Sequence, residues 1–191
     1  TSVNLSDQNV TYPEQVFVNV SVVNATEISY VLLKDGSPFI VADVTVNGMI
    51  TLVFDLGAGK YILNVTTLPD SNHTEASNWA YIIVNPAPSS VSGENVNVTY
   101  GEPIVVHITS ENATAVAFKV INQSGDVILE DMIAPGENIT GLQLAVGNYT
   151  VNLTTEVDEN HTSASSTVNI TVNKISEFDM NISSTTPPLG N

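Results

Sequence analysis

Apolar and polar residues alternate with a period of two along most of this chain. Val16, Val18, Val20 and Val22 are interleaved with Phe17, Asn19 and Ser21, and Tyr61, Leu63 and Val65 with Ile62, Asn64 and Thr66. The pattern returns at Ile104, Val106 and Ile108, at Tyr149, Val151 and Leu153, and at Val168, Ile170 and Val172. A strand points successive side chains to opposite faces, so this period predicts strands with one face in a core and one in water. Turn signals punctuate the runs at Lys34-Asp35-Gly36, Asn47-Gly48, Ser124-Gly125 and Pro135-Gly136.

The strands themselves recur. Val10-Thr11-Tyr12-Pro13-Glu14 returns as Val98-Thr99-Tyr100-Gly101-Glu102, and Asn24-Ala25-Thr26 as Asn112-Ala113-Thr114. Gly59-Lys60-Tyr61 returns as Gly147-Asn148-Tyr149, and Asp70-Ser71-Asn72-His73-Thr74 as Asp158-Glu159-Asn160-His161-Thr162, all at an offset of 88. The chain therefore divides into a first unit, residues 1–86, and a second, residues 87–174. Pro86 and Pro88 make the junction short and semi-rigid, and two acidic units favour an end-to-end arrangement with few contacts across it. Residues 175–191 read as a linker or the start of a further unit, because Met180-Asn181-Ile182-Ser183 resembles Val3-Asn4-Leu5-Ser6. The absence of a starting Met and of a signal peptide suits a segment of a longer chain.

About seven short antiparallel strands in each unit fit an all-β fold of two tandem immunoglobulin-like sandwiches. Leu56-Gly57-Ala58-Gly59-Lys60-Tyr61 and Leu144-Ala145-Val146-Gly147-Asn148-Tyr149 both read L-x-x-G-x-Y. That spacing predicts a tyrosine corner at Tyr61 and Tyr149, with each phenol bonding back to the preceding chain; the alternative is two ordinary core tyrosines.

The run from L-x-x-G-x-Y through Asn64-Val65-Thr66 and Asp70-x-Asn72-His73 to Ile83-Val84-Asn85 appears again between Leu144 and Asn173. It is similar to the bacterial-type immunoglobulin-like repeats of large surface proteins, in particular the adhesin-like proteins of methanogenic archaea. The resemblance spans about residues 2–175. It implies a secreted, extracellular array at the cell surface, with a role in adhesion or as a spacer. Trp79 and Tyr81 depart from the second unit, which is polar at the matching positions.

Composition narrows the function. There are 4 lysines and arginines against 20 acidic residues, for a net charge of -16. A nucleic-acid interface needs a basic patch, and an anionic membrane surface would repel this chain. With no cysteine there is no disulfide, thiolate metal site or thiol nucleophile. No apolar run approaches the roughly 18 residues of a membrane span, so direct insertion of this segment is not expected.

Asn-x-Ser/Thr sequons stand at Asn4, Asn9, Asn19, Asn24, Asn64, Asn72, Asn97, Asn112, Asn122, Asn138, Asn148, Asn152, Asn160, Asn169 and Asn181. Chance placement of 21 Asn among 38 Ser and Thr would yield about four. At Asn19, Asn64, Asn152 and Asn169 the strand pattern turns the side chain outward, where a glycan would be solvated. The competing reading is that Asn/Thr alternation with Val produces the motif with no modification. The loop and outward-strand sites Asn64, Asn72, Asn152 and Asn160 are the first expected to be occupied.

Catalytic motifs are lacking: the chain has no G-x-S-x-G, no H-E-x-x-H and no Gly-rich phosphate loop. His73 with Asp70 and His161 with Asp158 resemble a base and its orienter, but their duplication in two sandwiches favours a structural loop capped by Asp. Asp70, Glu75, Asp158 and Glu159 offer hard oxygens for calcium, yet the D-x-D-x-D spacing is missing, and no cofactor is expected. A Lys–Asn crosslink common to both units is disfavoured, because Lys34, Lys60, Lys119 and Lys174 have no lysine counterparts at the offset.

The outward positions differ between the units. Val31, Leu33, Ile62, Trp79, Tyr81 and Ile83 are predicted to form one apolar, aromatic patch on the first. The second offers Lys119, Ile121, Thr150, Thr167, Asn169 and Thr171 in their place. Exposed patches of this kind mark interaction sites, and Trp and Tyr suit sugar rings or a protein partner. A one-residue register shift would instead bury Trp79. The expected role is a non-enzymatic stalk, spacer and cell-adhesion module meeting other cells, surface glycans or proteins, and neighbouring repeats of its own chain. The alternative is a carbohydrate- or protein-binding accessory module of a larger secreted enzyme or surface-layer protein.

Overall fold

The computed structural model describes residues 1–177. In the first unit β1 (Ser2–Asn4), β2 (Gln8–Thr11), β3 (Val16–Val23), β4 (Glu27–Lys34), β5 (Ser37–Thr45), β6 (Met49–Phe54), β7 (Gly59–Thr67) and β8 (Ser77–Asn85) follow in order. A short β9 (Ala87–Pro88) leads into β10 (Ser90–Gly93), β11 (Val96–Thr99), β12 (Ile104–Val106) and β13 (Ile108–Glu111). The second unit continues with β14 (Ala115–Ile121), β15 (Val127–Ile133), β16 (Ile139–Leu142), β17 (Gly147–Glu156), β18 (His161–Thr162) and β19 (Ser165–Asn173). No helix occurs among the described residues.

Each unit is a two-layer sandwich. In the first, the order β1-β3-β6 faces the order β2-β8-β7-β4-β5. In the second, β11-β19-β17-β14-β15 repeats the five-stranded sheet, and the pairs β10-β13 and β12-β16 make the opposite layer. The hydrophobic cores are separate: one joins Val3 through Val84, the other Val91 through Val172. The alternation seen in the sequence is the cause. Val16, Val18 and Val20 are fully buried, whereas Phe17 and Asn19 between them are exposed. A completely buried leucine such as Leu32 or Leu63 contributes about 1.5–3 kcal/mol, and this aliphatic burial stands in for a disulfide.

One feature departs from a purely antiparallel reading. β2 pairs parallel with β8, and β11 with β19. The opening strand of each unit is split: β1 joins β3 in one sheet, and after Leu5-Ser6-Asp7 the chain crosses to the other sheet beside β8. There it runs the same way as the last strand. Turn chemistry behaves as its residues dictate. Lys34 pairs with Ser37 across Asp35 and Gly36, whose φ values of 51° and 78° are those of a two-residue hairpin turn.

Candidate binding face and inter-unit joint

β4, β7 and β8 lie side by side, and their register determines which outward side chains meet. Val31 pairs with Asn64, and Asn64 with Trp79. One step along, Leu33 pairs with Ile62, and Ile62 with Tyr81; beyond that, Lys60 pairs with Ile83. All six residues named from the sequence therefore share the outer face. Trp79 is 52% and Tyr81 47% exposed, and the other four are partly exposed. The Trp79 and Tyr81 rings meet edge to face with centroids 4.9 Å apart, a favourable geometry that holds both in place. Tyr81 is held further by its N–H, which donates to Asp7 Oδ1 at 2.8 Å. A shallow recess of about 480 Å³ opens beside it, floored by Leu33, Ile62 and Ile83 and rimmed by Lys60. The strand alternation also carries Val41, 64% exposed and paired with Val31, onto this face. That extension is not legible in the sequence, because only the sheet order makes β5 the neighbour of β4.

The second unit has the same geometry with different chemistry. Lys119 pairs with Asn152 and Asn152 with Thr167, while Ile121, Thr150 and Asn169 form the next row. Lys119 is tied to Glu130 at 3.2 Å on the edge strand β15.

Tyr61 and Tyr149 both form the corner that their spacing predicts. Tyr61 Oη donates to Gly57 O, and Tyr149 Oη to Ala145 O, each at 2.9 Å. The Tyr61 ring is buried and that of Tyr149 half-buried.

The sequon asparagines divide by what their side chains do. Asn4, Asn64, Asn148, Asn152 and Asn169 are exposed on strands. Asn24 and Asn112 sit at φ 58° and 55°, a left-handed conformation that Asn tolerates better than most residues. Asn19 accepts from Thr51, while Asn9 and Asn97 accept from Asn85 and Asn173 across the parallel strands. Asn122 Oδ1 closes its own turn by accepting from Ser124 N and Asp126 N. Asn138 Oδ1 accepts from Ile108 N at 3.1 Å, where the backbone ladder is interrupted. Asn72 is exposed in its loop, and Asn181 lies outside the described residues.

Asn160 is the exception to the outward geometry. Its Oδ1 accepts from Ala58 N of the first unit at 2.7 Å, and its backbone carbonyl accepts from Ala87 N at 2.8 Å. Next to it the His161 ring meets Tyr12 edge to face at 5.5 Å, and Nδ1 lies 2.7 Å from Asp158 Oδ1. The junction segment itself becomes β9, parallel to β18. Ser89 Oγ donates to Thr162 O at 2.6 Å and lies 2.7 Å from Thr155 Oγ1 inside the second unit. The two units therefore meet through a built joint rather than a bare proline hinge. Gly57 is part of it: a Cβ there would stand 2.9 Å from Asn160 Oδ1.

The carboxyls of Asp70 and Asp158 are held below the usual 3.8, chiefly by hydrogen bonds from His73 and His161. Among the described residues no three His, Asp or Glu side chains gather in a group fit for a metal.

No protein-family model matches the chain, and no curated protein matches it. Solved structures do. The chain is similar to the titin domains z1z2 in complex with telethonin, at 16% identity, with 90% of this chain and 94% of that chain covered and a TM-score of 0.53. It is also similar to fibronectin(III)-like modules of Clostridium thermocellum CbhA, at 15% identity over 90% and 94% of the two chains and a TM-score of 0.35. A third likeness is to DIP-gamma IG1+IG2, at 14% identity over 91% and 98%, with a TM-score of 0.35. The titin pair carries the comparison, and what it shares with this chain is the fold: all-β, two immunoglobulin-like sandwiches in tandem.

Proposed function

We propose that this chain is an extracellular segment of a surface protein, in which tandem sandwiches act as a spacer and the first unit presents a recognition face for adhesion. The observation that carries the reading is the contrast between two sheets of the same geometry. One bears Trp79, Tyr81, Ile62, Leu33 and Val31 outward; its twin bears Thr167, Asn169, Thr150, Ile121 and Lys119. Large apolar side chains gathered on one exposed face lower solubility, so their retention favours a partner. Edge-to-face packing fixes the two rings in advance, which lowers the entropy lost on binding. The surface location is supported by the density of sequons and by the exposure of those on strands. The hydrogen-bonded joint suits a spacer, because it limits how freely one unit swings against the next.

The test is binding of the full chain to whole cells, a glycan array and surface protein extracts, with Trp79→Ala plus Tyr81→Ala as the comparison. A central aromatic anchor is typically worth at least about 2 kcal/mol, so loss of even one of the two should cost at least about thirtyfold in affinity. Unchanged binding by a folded double variant would remove this face as the recognition site.

A further inference from the structure

The smaller sheet of the first unit carries apolar side chains on its outer face that neither the core nor the joint uses. In its β3–β6 ladder Phe17 pairs with Val53, Asn19 with Thr51 and Ser21 with Met49. These residues stand on the outward side, because Val16, Val18 and Val20 between them are buried. Phe17 is 53%, Val53 50% and Met49 67% exposed. The strip lies on the flank of the sandwich, whereas the two units meet through the segments at its end.

Asn19-Val20-Ser21 is a sequon, so an attachment nitrogen stands in the middle of this apolar strip. Thr51 Oγ1 donates to Asn19 Oδ1 at 2.7 Å. That bond engages only the carbonyl oxygen, which an N-linked sugar leaves untouched, and it fixes the plane of the carboxamide. Phe17 lies two residues before Asn19 on the same face, about 6.8 Å along the strand, a gap that one pyranose attached at Nδ2 spans. Beyond Phe17 the strip ends where Gln15 Nε2 donates to Asp55 Oδ1 at 2.9 Å. No other sequon of the chain has an aromatic residue two places before its Asn.

The second unit provides the comparison. At the offset of 88, Phe17, Asn19 and Val53 become Val105, His107 and Gly141, and Met49 becomes Glu137. His107-Ile108-Thr109 is not a sequon. The attachment site, the ring and the apolar side chains around it are lost as a set from the matching sheet. The fold does not require Phe17 or Val53 at these outward positions, and their presence follows the sequon.

We infer that Asn19 carries an N-linked glycan whose first sugar lies on Phe17 and Val53. A pyranose has a face of C–H groups and a rim of hydroxyls. The C–H face covers the phenyl ring while the hydroxyls stay in water, so apolar area is removed from solvent and no polar group is buried unpaired. Attachment is a transfer from a phosphate-activated sugar donor, carried out by a glycosyltransferase of the host. The bond from Nδ2 to the anomeric carbon forms, and the bond from that carbon to the phosphate oxygen breaks. The phosphate leaves with the electron pair, and Nδ2 gives up one proton. The inference rests on the extracellular placement in the proposed function, but the strip lies on the sheet opposite the one that bears Trp79 and Tyr81.

Mass spectrometry of protein from its native source should find a glycan on the Asn19 peptide. For the geometry, the full chain is secreted from a host whose linkage sugar is N-acetylglucosamine, and NMR follows the Phe17 ring, the Val53 methyls and the first sugar. Cross-relaxation should connect the Phe17 ring protons to the protons of that sugar, which the ring current shifts upfield. Ser21→Ala removes the sequon and keeps Asn19, Phe17 and Thr51; it should return the Phe17 and Val53 signals to those of the unmodified chain. Phe17→Ala should keep the glycan but move its first-sugar protons to free-glycan positions, and Phe17→Tyr should restore the contact. An unmodified Asn19 in native protein, or first-sugar protons that are the same in wild type and Phe17→Ala, would overturn the inference. Cell or glycan binding that survives Trp79→Ala plus Tyr81→Ala would remove the recognition face and leave these signals unchanged, so the two readings fail separately.

Discussion

Asn160→Ala removes the one side chain of the second unit that bonds the backbone of the sandwich before it. Ala58 N–H lies 2.7 Å from Asn160 Oδ1, and Ala58 is only 8% exposed. Truncation leaves that N–H buried without its acceptor, which costs about 1–3 kcal/mol. The backbone bond from Ala87 N to Asn160 O persists, so the second unit keeps its fold and the loss falls on the joint. In native-state hydrogen exchange the Ala58 amide should exchange about fivefold faster for each kcal/mol lost, while core amides such as Val65 and Val151 stay unchanged. Residual dipolar couplings should report wider relative motion of the two units. The matched control is Asn72→Ala, the same residue type in the same loop but exposed, which should change stability by less than about 0.5 kcal/mol. An Ala58 amide that exchanges at the wild-type rate in Asn160→Ala would refute the argument, because the bond would then contribute nothing in solution.

Acid should loosen the same joint. The Asp158 carboxyl is held below 3.8 by His161, so its contribution is complete above that value and disappears as pH falls through the depressed one. The Ala58 amide shift should therefore titrate below pH 3.8, and Asp158→Asn should flatten that titration. Gly93→Ala should destabilise the second unit alone, since a Cβ there would meet Val168 Cγ2 at 2.4 Å and Ile108 Cδ1 at 3.0 Å. Overpacking of this kind costs about 1–3 kcal/mol, read as a drop of about 4–8 °C in melting temperature per kcal/mol. Mass spectrometry of protein from its native source should find glycans on exposed strand sites such as Asn152 and none on Asn160, whose carboxamide is engaged in the joint; peptides unmodified throughout would refute glycosylation. A glycan at Asn64 would shield Trp79, its cross-strand neighbour, so occupancy there and binding through the patch exclude each other.

Local chemistry was enough to read much of this protein from its sequence. Period-two alternation buries Val16, Val18 and Val20 and exposes Phe17 and Asn19, because a strand offers only two faces. The same rule placed Trp79 and Tyr81 outside, since one residue of slip would have buried the whole outward row of β8. L-x-x-G-x-Y positioned both tyrosine corners, whose hydrogen bonds span only four residues. The parallel pairing of β2 with β8 was not legible, because it joins residues more than seventy positions apart after the opening strand changes sheets. The joint was hidden for a different reason. The Asp-x-Asn-His-Thr loop has the same sequence environment in both units, with Asp capping the turn and touching His in each. What separates Asn160 from Asn72 is the neighbouring sandwich, which brings Ala58 N to one carboxamide and leaves the other in water. A repeat gives its copies identical local preferences, and only the tertiary contact that each copy makes decides which of them becomes part of an interface.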